Sequence, residues 1–256
     1  MTGRSIEGVL FDVDDTLVDT RGAFASAMSV LADVYLPHLP PERHGEVLAV
    51  WRRDVGGHYR AYTRGEVDFR TQRMTRANEL HAEFAGPVLD DAAFDAWDGV
   101  FESAFAAAWR AFDDAPRAVD ALLADGVRVG ALSNAAVEYQ VRKLSTVGLG
   151  DRVPMLVGVD TLGVGKPAPE VFLEACRRLG TDPGRTLYVG DELDIDATAA
   201  RRAGLRGVWL DRPGTRRGGV HLEDPAAAAE AGVDVVTTLD ALPGLVAACP
   251  GGVLRA

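Results

Sequence analysis

Val9-Leu10-Phe11-Asp12-Val13-Asp14-Asp15-Thr16-Leu17 carries an apolar run straight into a cluster of acids. Along an extended strand, residues i and i+2 point to the same side. Asp12 and Asp14 therefore converge where a strand opens into a loop. Two carboxylates so placed repel, and holding them together calls for a cation or a shared proton. A hard divalent cation with oxygen ligands is the simplest answer. Acidic loops after strands are also common without any chemistry, so this stretch alone leaves a loop-capping role open.

The order of the downstream segments narrows the choice. Apolar Val127–Leu132 leads into Ser133-Asn134, then come Gly165-Lys166-Pro167 and Leu187-Tyr188-Val189-Gly190-Asp191, with Asp196 beyond. A hydroxyl, a lysine and a second acidic cluster each follow or flank an expected strand. Together they resemble the haloacid dehalogenase superfamily of phosphohydrolases, whose motifs are Asp-x-Asp-x-Thr, Ser/Thr, Lys and Gly-Asp-x-x-x-x-Asp. The resemblance spans roughly residues 6–211 and matches the four motifs in order.

The chain has 256 residues, enough for one large domain or two modest ones with a self-sufficient core. A hydrophobic content of 47% and a mean hydropathy of +0.01 indicate a soluble globular protein. The net charge of −11 argues against binding nucleic acid or anionic membranes over a broad surface. Cys176 and Cys249 lack metal-like spacing, and Cys176 lies in a helical pattern as a small apolar side chain. A reducing, cytoplasmic setting is expected. Glu7 and Asp12 interrupt any signal-like apolar segment, and no apolar stretch reaches the ~18 residues a bilayer demands. The expected partner is a small phosphorylated metabolite, with no nucleic acid and no membrane, and the expected state is a monomer or homodimer.

Strand-like segments fall at about 6–12, 127–132, 154–158, 186–190, 206–211 and 233–237, with helical patterns at about 116–125, 135–147, 168–180 and 196–203 between the later ones. This alternation predicts right-handed β-α-β units and a parallel sheet covered by helices. Gly126, Gly148, Gly180 and Gly204 stand where left-handed helix ends are wanted, and Pro116, Pro167 and Pro169 mark helix entries. Residues 18–112 break the rhythm with alanine-rich amphipathic runs such as Ala23–Tyr35, Glu42–Trp51 and Ala92–Phe112. The expected fold is α/β: a Rossmann-like parallel sheet core flanked by helices (1–17 and 113–256) with an inserted all-α domain (18–112). The resemblance implies that this insertion is a helical cap closing over the active site, hinged near Val18–Arg21 and Asp113–Pro116. The Ser133–Lys166 interval is too short for a second cap, and the tail after Leu242 reads as a short helix or frayed end.

The resemblance also implies roles. Asp12 is the nucleophile that becomes an aspartyl phosphate, and Asp14 protonates the leaving alkoxide and then activates water. Relatives that displace halide from carbon carry a non-acid at the Asp14 position, so an aspartate there points to phosphoryl transfer. Thr16 orients Asp14 or caps the loop. Ser133 and the Asn134 backbone bind the phosphoryl group, and Lys166 pairs with Asp12 and phosphate. The implied Mg²⁺ is held by Asp12, the Asp14 main-chain carbonyl and Asp191, with Asp196 as supporting acid, Asp194 in reserve and Glu192 atypical for its place. Lys166 and Lys143 are the chain's two lysines, against 25 arginines, so a lysine here is not generic surface charge.

His38, His44, His58, His81 and His221 show no ligand spacing and read as surface or packing residues. Trp51, Trp97 and Trp109 read as core of the inserted domain. Arg52, Arg53, Tyr59, Arg60, Tyr62, Arg64 and Arg70 form either a substrate-facing set or an exposed helix face. The expected activity is Mg²⁺-dependent hydrolysis of a small phosphomonoester, of the sugar phosphate or nucleoside monophosphate type. The opening motif and the Asp191–Asp196 step resemble the branch containing pyrimidine 5′-nucleotidases and N-acylneuraminate-9-phosphatases. A phosphomutase is the alternative enzyme. A non-enzymatic regulatory protein on this fold is the third reading, and its expected mark, a lost chemical residue, is missing.

Overall fold

The structure, a computed structural model, describes residues 5–63, 66–217, 221 and 223–248. Strand β1 (Gly8–Phe11) is buried along its whole length, as a strand covered by helices on both faces must be. Five α-helices follow among the described residues: α1 (Thr20–Tyr35), α2 (His44–Arg53), α3 (His58–Thr63), α4 (Phe69–Glu83) and α5 (Asp91–Ala107). The chain continues through α6 (Asp114–Ala124), β2 (Arg128–Leu132), α7 (Val137–Thr146), β3 (Met155–Val157), α8 (Val159–Leu162), α9 (Pro169–Leu179) and β4 (Thr186–Gly190). A π-helical stretch, Leu193–Thr198, leads into α10 (Ala199–Arg202), β5 (Arg206–Leu210), α11 (Pro225–Glu230), β6 (Asp234–Val236) and α12 (Leu242–Ala247).

All strand pairs are parallel, in the order β3-β2-β1-β4-β5-β6. Phe11 lies opposite Ala131 on one side and Val189 on the other. The residues that follow β1, β2 and β4 therefore leave the sheet along one edge. The strand order reverses between β1 and β4, which opens a crevice at the carboxyl ends of those strands. The ladder holds slightly beyond them: Asp12 N donates to Val189 O at 2.8 Å and Ser133 N to Val157 O at 3.0 Å. Beneath, Leu10, Leu132, Phe172 and Tyr188 share one core cluster, with the Phe172 and Tyr188 rings edge to face at 5.0 Å.

The six expected strands are present, and α6, α7 and α9 match the expected helices. Pro169 opens α9 and Gly180 closes it in the left-handed region at φ 73°. The fourth expected helix differs, because its first turn is a wide π turn beginning at Leu193. Glu192 O accepts from both Asp196 N (3.0 Å) and Ala197 N (3.4 Å), which opens the turn. It rests against Gly207 of β5, where a Cβ would lie 2.0 Å from Ala197 O.

The chain divides into two compact units, Thr20–Trp109 and the remainder. In the sheet unit, Phe112 N donates to Leu17 O at 3.0 Å and Asp19 N to Arg110 O at 2.9 Å. This pairing ends the helical run at Ala107 rather than Phe112. Asp113–Pro116 falls at the start of α6.

The described part of the helical unit contains no strand. Phe94, Trp97, Phe101 and Phe105 of α5 are its buried spine, and Trp51 stacks on Trp97 at 5.8 Å. Trp109 is also buried. Helix α4 buries polar Gln72, Arg73 and His81 with Ala77 and Leu80, and the Arg73 guanidinium sits 4.1 Å over the Phe101 ring. Cys176 is buried, Cys249 lies outside the described residues, and no helix among the described residues is long and apolar enough to cross a membrane.

Candidate active site

Four loops at the sheet edge assemble around Lys166. Its ammonium lies 2.6 Å from Asp12 Oδ1, 2.7 Å from Asp196 Oδ1 and 2.9 Å from the Tyr188 hydroxyl, all buried. Tyr188 lies within hydrogen-bond distance of Leu132 O (3.0 Å) and Asp196 Oδ1 (3.2 Å), anchoring this cluster to the sheet. The π turn brings Asp196 back so that its Oδ2 accepts from Glu192 N at 3.0 Å. Gly190 makes room for this: a Cβ there would stand 2.3 Å from Asp196 Oδ2.

Asp12, Asp191 and Asp196 bring carboxylate oxygens within 4.8 Å of one another. Burial raises the Asp12 carboxyl to about 8, with Asp196 and Asp14 adding to it and Lys166 opposing. Burial also raises Asp191, to about 9, and Asp12, Asp196, Asp15 and Glu192 all push the same way. Burial opposes the charge on Lys166, but Asp12 and Asp196 outweigh it and hold the ammonium well above its ordinary range. Three carboxylates against one ammonium leave the cluster short of positive charge. An oxygen-ligated divalent cation matches that deficit and the donor set. Asp12, Asp191 and Asp196 are the residues that could hold it.

Asp14 turns its side chain toward α7. Its Oδ2 accepts from Gln140 Nε2 at 2.6 Å, and its Oδ1 pairs with the buried ammonium of Lys143. The same Gln140 Nε2 donates to Ser133 Oγ at 2.9 Å. The Thr16 hydroxyl is fully buried and has no hydrogen-bond partner among the described residues. Gln140 and Lys143 are the groups that hold the Asp14 carboxylate.

Asn134 clamps the main chain of Lys166, donating to Lys166 O at 3.0 Å and accepting from Lys166 N at 2.6 Å. Gly165 permits that clamp, because a Cβ on it would lie 2.4 Å from Asn134 Oδ1. The surplus acids of the last cluster are taken elsewhere. Arg217 lies 3.0 Å from Glu192 Oε1 and pairs with Asp194, which also faces His221. Burial opposes the Asp194 charge, yet Arg217 and His221 hold its carboxyl below the usual range. Arg212 supports the loop after β1 from behind, donating to Thr16 O at 3.1 Å while its guanidinium meets Asp114 at 2.8 Å and lies 3.9 Å over the Phe112 ring.

The structure thus brings together Asp12, Lys166, Asp191 and Asp196, and sets Asp14 beside Ser133. It adds Gln140, Lys143, Tyr188, Arg212 and Arg217. The signals that could have found Gln140 and Lys143 are lysine scarcity, which applies to Lys143 as it does to Lys166, and their i, i+3 spacing on a helix opening just after Ser133-Asn134. In the helical unit, Arg70 is engaged by Asp95 and by Asp91 at 3.2 Å, and Tyr59 and Tyr62 pair at 6.0 Å between ring centroids. Arg64 lies outside the described residues.

Known proteins bear on this arrangement. A glyceraldehyde 3-phosphate phosphatase from Methanopyrus kandleri is 39% identical over 87 residues, 34% of this chain and 37% of that protein. An N-acetylmuramic acid 6-phosphate phosphatase from Pseudomonas aeruginosa is 29% identical over 236 residues, 92% of each chain. Among solved structures, the HAD-hydrolase YfnB from Bacillus subtilis, bound to magnesium, superposes with a TM-score of 0.71 at 20% identity, covering 95% of this chain and 99% of that one. The haloacid dehalogenase-like hydrolase family matches residues 6–204, from the strand before Asp12 to the helix after Asp196, and the chain belongs to that family.

Proposed function

We propose that the protein is a Mg²⁺-dependent phosphatase of small phosphorylated metabolites, acting through an aspartyl phosphate on Asp12. The observation that carries this reading is the separate handling of the two acids of the first motif: Lys166 pairs with Asp12, and Lys143 pairs with Asp14. Each acid is thereby held by its own lysine, and in this reading Asp12 attacks while Asp14 moves the proton. Relatives named as phosphatases of phosphorylated small molecules support the substrate class.

Asp12 attacks phosphorus as its P–O bond to the leaving group breaks, and Asp14 gives that oxygen a proton. Asp14, now a carboxylate, takes a proton from water as the water oxygen attacks phosphorus. The Asp12–phosphorus bond breaks and inorganic phosphate leaves. The Ser133 hydroxyl and the Asn134 backbone amide, which has no partner among the described residues, donate to phosphoryl oxygens. Lys166 opposes the rise that burial imposes on the Asp12 carboxyl and holds it in place through the 2.6 Å contact to Oδ1. Asp12, Asp191 and the Asp14 carbonyl, with Asp196 in support, would hold Mg²⁺, which would supply charge neutralisation at the phosphoryl oxygens. The helical unit serves as the cap that recognises the leaving group.

Phosphate release from a panel of phosphomonoesters, with and without Mg²⁺, tests this reading beside an Asp12→Asn control. Metal-dependent release lost in Asp12→Asn is the expected result. An isomerised sugar phosphate without free phosphate would make the protein a mutase, and turnover by Asp12→Asn above about a tenth of wild type would refute the covalent route.

A further inference from the structure

Helix α7 carries a device at the site that none of the four motifs contains. Gln140 and Lys143 lie three apart on it and share a face. Gln140 is fully buried, and both protons of its amide are used, one toward Asp14 Oδ2 at 2.6 Å and one toward Ser133 Oγ at 2.9 Å. The opposite amide orientation would set an oxygen against the Asp14 carboxylate, so Asp14 itself fixes the orientation. Ser133 Oγ then accepts twice, from Gln140 and from Ala135 N at 3.2 Å, which leaves its own proton to be donated. Lys143, 2% exposed, closes on the other Asp14 oxygen. Both Asp14 oxygens are therefore held from α7, and one amide ties them to the hydroxyl of the second motif.

We propose that Gln140 and Lys143 are positioning residues: Lys143 and Gln140 set the Asp14 carboxyl for the leaving oxygen, and Gln140 aims the Ser133 hydroxyl proton at the phosphoryl group. The proposal rests on Asp14 acting as general acid in the hydrolysis above. It separates two effects. Loss of Lys143 disturbs proton delivery alone, and loss of Gln140 disturbs proton delivery and phosphoryl binding together.

The test compares 4-nitrophenyl phosphate, whose leaving group departs without a proton, with a primary alkyl phosphate that needs one. Lys143→Met should slow single-turnover release of the alcohol about tenfold more than release of nitrophenolate, a part of the ~10²–10⁴ that a placed general acid supplies. Lys143→Arg should recover part of that loss. Gln140→Leu should slow both substrates and weaken inhibition by inorganic phosphate. On an Asp14→Asn background, adding Lys143→Met should cost the alkyl substrate little more, since both act through one carboxyl. That double variant leaves no unpaired buried charge, so it carries the comparison if Lys143→Met does not fold. Equal slowing of both leaving groups by Lys143→Met, or full additivity in the double variant, overturns the proposal. An Asp14→Asn variant with no leaving-group bias would instead remove the general-acid reading beneath it.

Discussion

The charge deficit at the sheet edge makes the metal-free protein sensitive to pH in an unusual direction. Asp191 rises from 3.8 to about 9 on folding, through burial and the acids around it. Between those values the folded chain holds a proton that the unfolded chain has released. Stability is therefore full below about pH 4 and declines as pH climbs toward about 9. One such group changes stability by about 1.4 kcal/mol per pH unit. From pH 5 to pH 8 the fall is about 4 kcal/mol at most, and about 2–4 kcal/mol once solvent screening of a partly exposed carboxyl is allowed for. Urea unfolding in EDTA, followed across that range, reads this directly. Saturating Mg²⁺ should flatten the slope, because the cation replaces the proton, and should stabilise most at the alkaline end. Asp191→Asn should lose about one proton's share of the slope and most of the Mg²⁺ effect. A metal-free stability that is level or rises from pH 5 to pH 8, or that keeps its slope in Mg²⁺, would refute this electrostatic picture.

Other perturbations act on the same contacts. Tyr188→Phe removes a buried hydroxyl within 2.9 Å of Lys166 and 3.0 Å of Leu132 O. It should lower unfolding stability by about 1–3 kcal/mol while kcat falls less than tenfold, since two carboxylates still hold the ammonium. Gly165→Ala puts a Cβ 2.4 Å from Asn134 Oδ1 and should break the clamp on Lys166. A loss in kcat/KM of about 10–100-fold is expected, as misplacement of a catalytic group brings, and unchanged kinetics would show that the clamp is idle. Alanine at Arg60 or Tyr62 should reorder preference among phosphomonoesters and leave acetyl phosphate hydrolysis nearly unchanged. Arg70→Ala, whose guanidinium is already engaged by Asp91 and Asp95, should instead lower stability.

The sheet was legible because its strands are apolar runs without alternation, each ending at an acid, a hydroxyl or a glycine. Asp12, Ser133 and Asp191 were legible for the same reason, since each directly follows a strand, whereas Lys166 lies between α8 and α9 and was legible from lysine scarcity and its Gly-Lys-Pro setting. Helix α4 was not, because its inward face carries Gln72, Arg73 and His81, and a polar buried face shows no apolar periodicity. Thr16 reads in sequence as a support of Asp14 or as a loop cap. The contacts of Gln140 and Lys143 with Asp14 come from more than a hundred residues downstream, a pairing that the parallel register of β1 beside β2 creates and that no local pattern shows. Glu192 looks anomalous in sequence because its partner, Arg217, lies on the loop after β5.

The central claim is that phosphate passes through a covalent bond to Asp12. Acid quenching during turnover, then borohydride reduction, converts an acyl phosphate to an alcohol while sparing a free carboxylate. Mass spectrometry of the tryptic peptide Ser5–Arg21 then locates the change. Reduction at Asp12 alone, present only with substrate and Mg²⁺, is the predicted result. Active turnover with Asp12 unmodified, or with the reduced residue at Asp14, would contradict it.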